Sequence, residues 1–159
     1  MKNLFALSLT TAILCGIWVA VSPSLGLLGW AGFAGCTAFF AAGGKVKGFK
    51  NAIITNLSGV LGAMIIIQTC NHVEFAHIGA ISTAIITFIM CIQAKIKIFE
   101  FIPGTFIGSF STFASGGDWK VIIPSLILGA ILGYLCETSG TWLFNITNKN
   151  TDSEENVTA

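Results

Sequence analysis

The sequence predicts an all-α integral membrane protein of six transmembrane helices, arranged as an inverted 3+3 internal repeat with short or broken helices in its motif segments. Three observations predict it. The chain of 159 residues is 54% hydrophobic and only 9% charged, with a mean hydropathy of +0.84, whereas soluble domains carry about 25% charged residues. The stretch Phe33 to Gly44, FAGCTAFFAAGG, returns 73 residues later as Phe106 to Gly117, FIGSFSTFASGG, with six of the twelve positions identical; chance would give about one. The lysines are bunched as well. With six spans and a cytoplasmic N-terminus, Lys2, Lys45, Lys47, Lys50, Lys95, Lys97 and Lys149 fall inside and Lys120 alone outside, which meets the positive-inside rule.

No charge falls between Lys2 and Lys45, which leaves room for two spans, about Leu4 to Val21 and Leu25 to Ala42, broken at Ser22-Pro23-Ser24. Lys2, the apolar run and Ala20-Val21-Ser22 also imitate a secretory signal. The first span has a counterpart at Phe75 to Ile92, however, and so reads as part of the fold. In the second span Gly26, Gly29, Gly32 and Gly35 recur every third residue and clear a stripe for close helix packing. Gly43-Gly44 supplies a left-handed helix stop, followed by a loop with Lys45, Lys47 and Lys50. Gly-Gly-Lys here is no phosphate loop, because Val46 stands where the hydroxyl of that motif belongs and its first glycine is missing.

The third span, about Ala52 to Thr69, carries Thr55, Asn56 and Ser58 near one end. A short loop with Asn71, His72 and Glu74 leads to the fourth, about Phe75 to Gln93. The fifth is bounded by Glu100 and Asp118, leaving 17 uncharged residues; as a helix these reach about 25 Å, against a hydrocarbon core of about 30 Å. It opens with Ile102-Pro103-Gly104, the mark of a broken or re-entrant segment. The sixth, about Val121 to Cys136, contains Pro124-Ser125 and Gly129-x-x-x-Gly133. Each copy thus holds three spans, an odd number, and the second must sit upside down. The matched loops agree: the first Gly-Gly is followed by Lys45-Val46-Lys47, the second by Asp118-Trp119-Lys120. The transmembrane domain takes residues 1–146, with repeats at about 4–70 and 75–140, and 147–159 form a polar, disordered cytoplasmic tail.

Inverted repeats bring paired irregular helices together near the bilayer midplane, where channels and transporters hold their solutes. On a helix Phe33, Cys36 and Phe40 share a face, as do Phe106, Ser109 and Phe113. With Gly43, Gly44, Asn56, Pro103, Gly104, Ser115, Gly116 and Gly117 they are the candidate lining of a solute path. A packed helix face is the competing reading for each phenylalanine. The scarcity of embedded charge suits a small neutral or weakly ionised solute. Glu74 and His77, spaced i, i+3 at the head of the fourth span, are a candidate pH gate, with interface anchoring as the plainer role.

A passive channel or facilitator therefore leads, with a proton-coupled secondary transporter and a membrane assembly or scaffold protein as alternatives. No HExxH, GxSxG or clustered carboxylates appear, so no enzyme is expected. Five cysteines, widely spaced and without CxxC, suggest packing rather than a disulfide or metal framework, and no cofactor is expected. A chain without arginine and with net charge +1 has no footprint for nucleic acid. The expected partners are the lipid bilayer, a small solute and, from the surplus of glycine stripes, further copies of the chain in a homo-oligomer.

The run Ile102-Pro103-Gly104-Thr105-Phe106-Ile107-Gly108 through Phe113-Ala114-Ser115-Gly116-Gly117-Asp118-Trp119, with Pro124-Ser125-Leu126 and Gly129-Ala130 after it, resembles the YcdZ-like family of small bacterial inner-membrane proteins, a domain of unknown function. The resemblance covers about Leu4 to Leu143. It implies a multi-pass location in the bacterial inner membrane and transfers no functional residue.

Overall fold

A computed structural model describes residues 2–157, and the side chains of all of these except Lys2 and residues 149–157. Among the described residues every regular element is helical. Helix α1 (Lys2–Val21) runs into a short 3-10 turn at Ser22–Leu25; α2 (Gly29–Ala41), α3 (Lys45–His72), α4 (Ile78–Ile92), α5 (Ile102–Ala114) and α6 (Trp119–Val157) follow. Four segments are long and apolar enough to cross a membrane: Asn3–Leu25, Lys45–His72, Ile78–Lys95 and Trp119–Asn148. The repeated motif forms the two short helices, α2 and α5, of 13 residues each. At 1.5 Å per residue each reaches about 20 Å, too little to cross by itself.

Several boundaries differ from the sequence reading. The expected second span starts at Leu25, yet α2 begins only at Gly29, because Pro23 holds a 3-10 turn, Gly26 is left-handed at φ +67° and Leu28 is extended. Lys45, Lys47 and Lys50 lie in the first turns of α3 rather than in a loop, so α3 starts well before Ala52. Helix α4 starts at Ile78, three residues later than expected, since His77 adopts a left-handed φ of +66° that no continuing helix accommodates. Helical assignment in α6 passes Cys136 and continues to Val157, through most of the stretch expected to be disordered; the side chains beyond Asn148 lie outside the described residues.

Both motif helices stop in the same manner. Gly43 N–H donates to the Phe40 carbonyl and Gly44 N–H to that of Phe39, while Gly116 and Gly117 make the matching bonds to Phe113 and Thr112. All four glycines have positive φ, between +65° and +94°. These are Schellman closures, which need the conformational freedom of glycine.

Helices α2, α3, α5 and α6 make the centre; α1 packs on α6 and α4 on α3. The central contacts fall in two pairs, α2 on α6 and α3 on α5. A Cβ placed on Gly35 would strike the Leu126 carbonyl oxygen, and one on Gly129 that of Gly32. In the other pair a Cβ on Gly108 would strike the Asn56 carbonyl oxygen, and one on Gly59 that of Thr105. Leu28 meets Ser125 and, further along both α2 and α6, Phe39 meets Gly133, so those two helices run in the same sense. In lipid, apolar side chains gain little by leaving one apolar solvent for another, so helix association rests on such backbone approaches and on interhelical hydrogen bonds. Two of those bonds tie the start of α2 to its neighbours: Trp18 Nε1 donates to the Gly29 carbonyl at 2.9 Å, and Leu28 N–H donates to Ser125 Oγ at 3.1 Å.

Candidate functional site

The buried polar side chains concentrate where α3 meets α5. Thr55, Asn56, Thr105, Ser109, Ser111 and Thr112 are all buried there or beside it. Gly59 and Gly108 cause this, because they let the two backbones touch and leave only short side chains room between them. Most of the hydroxyls are satisfied locally: Thr55 donates to the Asn51 carbonyl at 2.7 Å and Thr112 to that of Gly108 at 2.8 Å. A relay then links three elements. Ser58 Oγ donates to Gln93 Oε1 at 2.8 Å, and Gln93 Nε2 donates to Thr105 Oγ1 at 3.0 Å.

What remains is specific. Asn56 Nδ2, Asn56 Oδ1 and Ser111 Oγ are buried without a hydrogen-bond partner among the described residues. Asn56 is 1% exposed and lies about 17 Å along a helix of about 42 Å, near its middle. A buried amide left unpaired costs about 1–3 kcal/mol, so native proteins rarely tolerate one without a reason. The matching place in the other helix pair is held by Leu126, fully buried in an apolar cluster with Ala31, Val60 and Ile122. Asparagine and leucine side chains share the same branching and number of heavy atoms. The seam could have been sealed with hydrocarbon, as its counterpart is, and it carries an amide instead.

The comparisons fit a membrane protein of this kind. The chain matches the model of a family described as proteins of unknown function, DUF1097, over residues 8–141. The chain belongs to that family. It is 48% identical over 161 residues to the inner membrane protein YcdZ of Escherichia coli (strain K12), covering 99% of this chain and 98% of that one. The inner membrane protein YcdZ of Salmonella typhimurium (strain LT2) is 48% identical over 147 residues, covering 90% and 91%. The uncharacterized protein YahC of Escherichia coli (strain K12) is 31% identical over 161 residues, covering 94% and 98%. No solved structure matches the chain.

The residues singled out in this DUF1097 sequence are not all brought together. Asn56, Gly104 and Ser109 meet at the α3–α5 seam, with Gly104 against the Thr55 hydroxyl and the Phe101 ring. Cys36 is buried instead in an apolar cluster with Trp18, Leu132 and Cys136, and Phe33 packs against it. Phe40, Phe106 and Phe113 are 38%, 43% and 44% exposed, outside the packed core. Pro103 is exposed in the first turn of α5, and Ser115 caps that helix, donating to the Thr112 carbonyl at 2.9 Å. Gly43, Gly44, Gly116 and Gly117 make the turns; Gly43 and Gly116 have open space around them. Glu74 and His77 are exposed in the α3–α4 connection, outside any helix, so the expected i, i+3 helical pairing does not form.

Three participants escape a sequence reading. Gln93 and Thr105 are distant in the chain from Ser58, and only folding joins them. Glu137 accepts the Lys45 N–H at 2.7 Å and so caps α3 from the middle of α6. Beside it a surface groove of about 420 Å³ is lined by Lys45, Tyr134, Thr138 and Trp142.

Proposed function

We propose that this chain, in the bacterial inner membrane like the relatives named for it, is a passive channel or facilitator for a small neutral or weakly ionised solute, with the α3–α5 seam at Asn56 as its point of recognition. The unpartnered amide of Asn56 carries the reading. A polar group held near the middle of a membrane-crossing helix is costly, and such groups mark solute pathways. The charged side chains are spent elsewhere: Lys47 and Glu100 pair at 3.4 Å, and Glu137 accepts the Lys45 N–H. About 24 Å of helix separates Asn56 from His72, which weakens a proton-coupled transporter gated by Glu74 and His77.

The reading includes six crossings related by an inverted repeat, α2 and α5 crossing only together with the irregular residues that flank them, with both termini cytoplasmic. Support comes from the duplicated Schellman turns, the equal lengths of α2 and α5 and the paired approaches of Gly35 with Leu126 and Gly108 with Asn56. Stopped-flow swelling of proteoliposomes against a panel of small neutral solutes tests it. At least one solute is expected to enter faster than into protein-free vesicles; equal rates for every solute, with folded protein present, would refute it.

A further inference from the structure

We infer that the ligand taken at Asn56 is a small uncharged molecule with a hydrogen-bond donor and an acceptor side by side on one planar edge: a primary carboxamide, a urea, or the protonated form of a short carboxylic acid. This rests on the facilitator reading above for the reason a solute reaches that depth. Asn56 presents an acceptor, Oδ1, and a donor, Nδ2, both buried and both without a partner. A carboxamide edge answers the two at once, through a pair of antiparallel hydrogen bonds made by one molecule in one plane. A single hydroxyl can bridge the two atoms only through bent hydrogen bonds, and a ketone brings no donor. Ser111, on α5 one turn beyond the glycine that touches the Asn56 backbone, also keeps a buried hydroxyl without a partner among the described residues. Charged ligands find no counter-ion here, since the polar residues buried at the seam are all uncharged. A site of this kind rejects analogues that lack the donor or the acceptor, because its own polar atoms are then left unpaired. Leu126 holds the matching place in the other helix pair, so only one of the two crossings reads the solute.

The test is thermal unfolding of the full chain in nanodiscs with increasing acetamide, acetone or acetate, for the wild type and for Asn56→Leu and Asn56→Ala. Acetamide is expected to raise the melting temperature of the wild type with its concentration, as any ligand of the folded state does, and to leave whichever asparagine variant folds unmoved. Acetone is expected to leave all three alike. A shift with acetate that vanishes as pH rises identifies the protonated acid as a ligand, whereas the acetamide shift is expected to be independent of pH. Equal acetamide shifts in the wild type and a folded variant, no shift in any, or an acetone shift matching that of acetamide would overturn the inference. Vesicle swelling separates the two readings. An Asn56-dependent shift without acetamide entry keeps the recognition and removes the facilitator; entry of several solutes without such a shift does the reverse.

Discussion

Asn56 is the residue where stability and function pull apart. Its amide is buried and unpaired, while Leu126 fills the matching position with hydrocarbon. Asn56→Leu is therefore expected to stabilise the fold, by about 1–3 kcal/mol, in a melting or denaturant titration; a destabilised variant would show that the amide has a structural partner after all. The glycines divide by mechanism. Gly59→Ala and Gly108→Ala each drive a Cβ onto a neighbouring helix carbonyl, and are expected to lose about 1–3 kcal/mol by forcing α3 and α5 apart. Gly43→Ala and Gly116→Ala meet nothing, and are expected to lose about 1–2 kcal/mol through left-handed backbone alone. Sequence could mark Asn56 as polar in a span and Gly43-Gly44 as a stop. It could not show that Gly108 works by contact and Gly116 by conformation, since both sit in the same repeated string.

At the scale of elements, the repeat was legible in the chain as a string and its consequences were partly so. The short fifth segment is visible from its bounding charges and Pro103. The short second helix is not, because Leu25 to Ala42 is uniformly apolar and only the left-handed Gly26 and extended Leu28 delay its start. The phenylalanines were the least legible part: heptad spacing fixes a shared face but not whether that face turns inward. Phe39, one residue from the expected lining, is the ring that is fully buried, stacked edge-on against Phe40 at 5.1 Å and Tyr134 at 6.2 Å. Phe39→Ala is accordingly expected to cost about 3–5 kcal/mol, and Phe40→Ala and Phe113→Ala under about 1 kcal/mol. Comparable losses for all three in thermal melts would mean that the outward rings are covered by a partner surface. Glu137 ties two elements by capping α3; Glu137→Ala is expected to lower stability by about 1 kcal/mol.

For the whole molecule, alternation of sides and assembly are linked to the proposed path. Cysteine labels after Lys50, Glu74, Lys97 and Asp118 are expected to report inside, outside, inside and outside; two neighbouring loops on one side would break the inverted repeat. With Phe40, Phe106 and Phe113 exposed on a single chain, a route lined by them is expected between copies of the chain. Mass measurement in nanodiscs therefore bears on them: a monomer that still conducts would remove the phenylalanines from the path and leave the Asn56 seam. That seam is the central claim, and solute entry per folded protein, wild type beside Asn56→Leu in the same lipid, tests it most directly. The expected result is entry of a small neutral polar solute well above protein-free vesicles in the wild type, falling at least tenfold in a variant that is folded and more stable. Entry unchanged by the leucine, or absent from the wild type, would contradict it.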